Sequence, residues 1–143
     1  MQIKTTMIKE IYEEYDTRPK ISSPEDVFRY AINKTANDKE SFIILCLNTK
    51  NGILESNTIS VGSLNANVVH PREVFKAALL ASAANIIVVH NHPSGDPTPS
   101  REDIEITRKL VEAGNIMGIT VLDHVIIGNG SGKHFSMKEA GHI

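Results

Sequence analysis

Apolar positions along this chain fall into short blocks whose spacing switches between helical and extended periods. Phe42–Leu47 is an almost wholly apolar run of strand-forming residues, as expected of a central strand covered on both faces. Asn51-Gly52 suits the positive φ of a turn, and Ile53–Val61 reads as the returning strand of a hairpin, broken at Gly62-Ser63-Leu64-Asn65. Ile86–Val89 is a second buried strand that runs directly into His90, and Thr120–Ile127 reads as a last strand. Between these blocks the spacing becomes helical. Ser23 caps a helix over about Pro24–Asn33, with proline and acidic residues in its first turn and Val27, Phe28 and Ile32 on its apolar face. Pro71 opens a helix through Ala84, with Val74, Ala77, Ala78 and Ala81 at helical spacing. Ser100 caps a third, Arg101 to Ile116.

The beginning of the chain supports two readings. Ile3, Thr5, Met7, Lys9 and Ile11 alternate as in an edge strand, whereas Met7, Ile11 and Tyr15 also share one helical face. Residues 1–20 are therefore taken as an N-terminal arm or edge strand, ahead of a domain over residues 21–143. Helices interleaved with strands predict an α/β domain, and the hairpin makes a mixed sheet the expectation. The tail from Gly128 onward reads as loop with at most a short turn.

Composition acts by exclusion. The chain has 143 residues, enough for one domain with its own core. Fifteen basic residues against 17 acidic ones leave a formal charge of −2, which disfavours nucleic acid as a partner, because nonspecific affinity for it comes from Lys and Arg neutralising phosphates. The single cysteine, Cys46, cannot form an internal disulfide and is expected as a buried, inert thiol. No apolar run reaches membrane-spanning length, and the start lacks a secretory signal. The expectation is a soluble cytoplasmic domain without a membrane partner, of unspecified oligomeric state.

The chemistry concentrates at His90-Asn91-His92-Pro93, with Ser100 and Asp103 beyond. Residues i and i+2 at a strand end share a side, so His90 and His92 can offer two imidazoles to one ion. The loop after them is long enough to return Asp103, in the first turn of the third helix. Two imidazoles and a carboxylate suit zinc with a fourth position left for water, whose pKa falls to about 7 there. Glu40, just before the Phe42–Leu47 strand, is the candidate proton carrier, with Glu55 as the fallback. Ser100 could hydrogen-bond the water or an oxyanion. Each feature also has an ordinary explanation: a Ser cap followed by acidic residues is simply a helix start. Asp123-His124 is expected as a buried hydrogen-bonded pair, with orientation of a ligand histidine as the alternative. His70 reads as a helix entry, Arg72 as a partner of Glu73 or of substrate, and His134 and His142 as exposed.

The segment His90–Asp103 closely resembles the signature of RadC-like proteins in the JAMM (MPN/JAB) metalloprotease superfamily, whose motif is His-x-His, seven residues, Ser, two residues, Asp. His92 to Ser100 encloses seven residues and Ser100 to Asp103 two. His70-Pro-Arg-Glu73 and the Leu122–Gly128 segment also look like RadC-family segments, and the resemblance covers roughly residues 22–141. It implies a cytidine-deaminase-like three-layer α/β fold, a mixed sheet flanked by helices. It maps His90, His92 and Asp103 onto zinc ligands, Glu40 onto the catalytic glutamate and Ser100 onto the motif serine. The implied activity is hydrolysis of an amide or isopeptide bond in a protein or peptide substrate by zinc-activated water. The alternative is a noncatalytic metal-binding or DNA-repair-associated module. Many RadC proteins carry an N-terminal helix-hairpin-helix region, which this sequence does not show, and the insertions that grip ubiquitin in eukaryotic relatives are also missing.

Overall fold

A computed structural model describes residues 16–62 and 69–143 of the chain. Residues 1–15 of the arm expected at 1–20, and residues 63–65 of the break expected at 62–65, lie outside the described residues. The elements, in chain order, are α1 (Pro24–Ala31), β1 (Ser41–Leu47), β2 (Ile53–Val61), α2 (Pro71–Leu80), β3 (Asn85–His92), α3 (Arg101–Met117), β4 (Thr120–Gly128) and β5 (His134–Ser136). They form one mixed sheet in the order β2-β1-β3-β4-β5. β1 pairs antiparallel with both β2 and β3, β3 and β4 run parallel, and β5 returns antiparallel on β4. Parallel neighbours need a crossover, and α3 supplies it. Among the described residues no helix is long and apolar enough to cross a membrane.

Side-chain parity on the central strands divides the core into two layers. Phe42, Ile44 and Cys46 of β1 join Ile86 and Val88 of β3 against Val74, Phe75 and Ala78 of α2 and Ile106 and Leu110 of α3. Ile43, Leu45 and Leu47 join Ile87 and Val89 on the other face, against Val27 and Ala31 of α1. Every residue of β1 is buried, as its unbroken apolar run requires. Cys46 lies in that run as a free thiol, and burial pushes its pKa up to about 11.

Three boundaries differ from the sequence expectation. α2 ends at Leu80 rather than Ala84, because Ser82 takes a left-handed φ of 55° and the amide of Ala84 already donates to Leu47 O, starting β3. α1 stops at Ala31, short of Asn33. The tail contains β5, too short to show a period, and His134 within it is not exposed. Its side chain is 20% accessible, its ring lies 5.5 Å from that of Phe28, and Nε2 is 3.7 Å from Glu25.

Candidate metal centre

β3 extends three residues further than its apolar run, and that extension builds the site. Its last residues, His90, Asn91 and His92, are in strand, paired alongside Ile126, Ile127 and Gly128 of β4. Alternation sends His90 and His92 to the α3 face and Asn91 to the α1 face. The two imidazoles meet edge to face with centroids 4.8 Å apart.

Asp103 reaches them from the first turn of α3. Ser100 is the N-cap: its Oγ accepts from the Asp103 amide at 3.0 Å, while Asp103 Oδ2 accepts from the Ser100 amide at 2.8 Å, a reciprocal capping box. The cap therefore fixes the carboxylate as well as the helix. Oδ2 lies 3.1 Å from His92 Nε2, and Oδ1 lies 3.2 Å from His90 Nδ1. Burial alone would raise the Asp103 pKa, but the two imidazoles and the Ser100 amide outweigh it and hold the carboxyl well below the usual carboxylate range. The same hydrogen bond to Asp103 raises the His92 pKa against the effect of burial, with help from the Asp96 carbonyl 2.8 Å from Nδ1.

Glu40 stands at the entrance to β1, which pairs with the histidine strand at Phe42 and His90. Its Oε1 is 4.0 Å from His90 Nε2, and its side chain is one-third exposed. Glu40, His90 and His92 offer donor atoms that all lie within 4.8 Å of one another and could hold a metal ion. The structure thus brings Glu40, His90, His92, Ser100 and Asp103 to one end of the sheet. Glu55 pairs with Cys46, four residues further along β1, roughly 13 Å from that end at strand spacing.

His90 is 2% exposed, and among the described residues neither of its ring nitrogens has an aligned hydrogen-bond partner. Its approach to Asp103 is close but not directed as a hydrogen bond. Orphaned buried nitrogens of this kind are rare in folded proteins and call for an explanation. A cation supplies one. The donor atoms that converge most closely are those of Glu40, His90 and His92, while Asp103 faces the two imidazoles with different oxygens, Oδ1 towards His90 and Oδ2 towards His92. The donor set of imidazole nitrogens and carboxylate oxygens fits such an ion.

Gly128, paired with His92, lets the loop after β3 pack against the strand end: a Cβ there would fall 2.2 Å from Gly95 O. Behind the site, Thr107 Oγ1 donates to Asp103 O at 2.7 Å and accepts from His124 Nδ1 at 2.6 Å. His124 is fully buried, and desolvation, aided by the nearby His90, pushes its pKa down to about 3. Asp123 points away from this cluster: it accepts from Ser136 Oγ at 2.6 Å and from the Lys138 amide at 3.0 Å. The two are buried neighbours joined by the His124 amide, which donates to Asp123 Oδ1 at 2.7 Å, but their side chains serve separate networks.

The RadC-like JAB domain family matches residues 21–142. The chain belongs to that family. A UPF0758 protein of Caldanaerobacter subterraneus subsp. tengcongensis is 60% identical over 85% of the chain and 52% of its own length. A UPF0758 protein of Bacillus cereus is 57% identical over 91% of the chain and 57% of its own length. One from the archaeon Methanosarcina barkeri is 54% identical over 90% and 56%. The chain therefore spans little more than half the length of these curated relatives. As a RadC-like JAB domain, it places its paired histidines at the end of a buried strand and its serine and aspartate on one helix cap.

Local pattern assigns no role to Asn91 or Thr107, yet both are buried. The available signal for Asn91 was its parity: it follows Ile87 and Val89 on a face that is otherwise apolar.

Proposed function

We propose that this domain hydrolyses amide bonds, peptide or isopeptide, with zinc held by His90, His92 and Asp103 and with Glu40 as proton carrier. The observation that carries the reading is His90: a buried imidazole whose two nitrogens lack an aligned hydrogen-bond partner among the described residues, set between two carboxylates.

A bound zinc ion supplies Lewis acidity and brings the ionisation of water down to about pH 7. The remaining tasks fall to the chain. Asp103 stays ionised because its capping box and two imidazoles stabilise the anion, so it offers a charged donor at any moderate pH. Glu40 is within reach of the same corner and open to solvent, so it can take a proton from water and return it to a departing amine. Ser100 Oγ is already the acceptor for the Asp103 amide, which leaves its hydroxyl hydrogen free to donate to a carbonyl oxygen as negative charge develops there.

Metal analysis of the purified chain at neutral pH with reducing agent is the first test, with one zinc per chain expected. Absence of stoichiometric zinc ends the proposal. Against a panel of peptide and isopeptide substrates, Glu40→Gln is expected to keep the metal and lose about 10²–10⁴-fold in hydrolysis. Zinc binding with no cleavage by the unaltered chain would instead support a noncatalytic module.

A further inference from the structure

Asn91 sits between the two histidines but faces the opposite side of β3, beneath the segment that leads from α1 to β1. It is 0% exposed. Its Oδ1 accepts from the Ser41 amide at 2.6 Å, and its Nδ2 donates to Ala36 O at 2.7 Å and Lys39 O at 2.9 Å, with Asn129 Oδ1 also at 2.7 Å. The Lys39 carbonyl belongs to the peptide before Glu40, and the Ser41 amide to the peptide after it. Both peptide groups flanking the glutamate are thus tied to one side chain. The Glu40 carbonyl is held separately, by the Gly62 amide at 2.8 Å.

We infer that Asn91 is a positioning residue that sets Glu40 over the His90–His92 cluster. The inference rests on the role given to Glu40 above. Glu40 is one-third exposed, and the segment that leads to it, residues 32–39, is neither helix nor strand. Attaching that segment to the residue between the two histidines makes one strand tip set both the imidazoles and the carboxylate. Such registration matters because a displacement of about 1 Å between reacting groups can cost about 10²-fold in rate.

Two readouts on the full chain test this, with cobalt(II) alone as the metal probe. The variants are Asn91→Ala and the near-isosteric Asn91→Asp, which keeps an acceptor for Ser41 but loses both donations to the segment. Amide exchange at Ser41 is expected to rise at least about 50-fold in Asn91→Ala and by less in Asn91→Asp, with less than about threefold change at Val88 in the sheet centre. Cobalt(II) affinity is expected to change less than about threefold, while the visible cobalt spectrum shifts as it does in Glu40→Gln. The double variant Glu40→Gln, Asn91→Ala should show no further shift. Exchange rising evenly through the sheet, failure of both variants to fold, or spectral changes that add would each overturn the inference. If the chain binds no cobalt, or Glu40→Gln leaves the spectrum unmoved, the parent reading falls, and exchange at Ser41 alone still decides whether Asn91 holds the segment.

Discussion

Two buried polar clusters lie a few residues apart in this sheet, and they are built on opposite terms. At Asp123 every demand is met: the carboxylate accepts from the Ser136 hydroxyl, the Lys138 amide and the His124 amide. At His90 the demands are open, with two buried ring nitrogens lacking aligned partners among the described residues and two carboxylates facing them. The first arrangement is how a fold anchors a tail: β5 and the turn after it hang on Asp123. The second makes sense when a further group completes it. Burial and charge alone do not distinguish the two, since Asp123 and Asp103 are 6% and 7% exposed. Satisfaction of hydrogen bonds does.

Removing Asp123 should break the comparison on its structural side. Asp123→Ala strands a buried hydroxyl and two amides, and is expected to cost about 3 kcal/mol in denaturant unfolding while leaving zinc affinity within about twofold. A matching loss of zinc affinity would show that the two clusters are one. On the open side, zinc at about 100 times its dissociation constant should stabilise the chain by about 2.7 kcal/mol over the chelated form. In His90→Ala that difference should vanish, as read by the thermal midpoint with zinc and with chelator.

His124 sharpens the contrast through pH. The folded chain keeps this imidazole neutral down to about pH 3, whereas unfolded it takes up a proton near the ordinary histidine value of 6.5. Across that window the unfolded state binds more protons, so stability falls as the pH drops, by up to about 1.4 kcal/mol per pH unit. Unfolding free energies of metal-free His124→Gln between pH 6.5 and 4 should decline less steeply than those of the unaltered chain, and parallel curves would count against a neutral buried His124. The smallest effect is expected at the cap. Ser100→Ala should cost about 1 kcal/mol in stability, and it should also weaken zinc binding, because the capping box orients Asp103. A stability loss with unchanged zinc affinity would confine Ser100 to the helix.

Much of this was legible in the order of residues. The unbroken apolar runs of β1 and β3 announced buried strands because no solvent face had to be provided, and the turn at Asn51-Gly52 joined the hairpin where expected. His90, His92, Ser100 and Asp103 could be singled out because strand parity and capping chemistry are local rules, acting over two or three residues. The three residues of β5 escaped for the same reason: they hold no period, and only pairing with β4 makes them a strand.

What tertiary structure alone decided is which distant groups meet. The choice between Glu40 and Glu55 depended on register between β1 and β3, which puts Phe42 beside His90 and leaves Cys46 with Glu55 at the far end. Nothing local marks Asn91, because the α1–β1 segment that hangs from it lies 50 to 55 residues away in sequence. Asp123 and His124, adjacent in the chain, serve different networks on opposite faces of one strand. Local sequence determines how a residue is presented. The hydrogen-bond partner of a buried polar group is set by the packing of whole layers, and so is the absence of one.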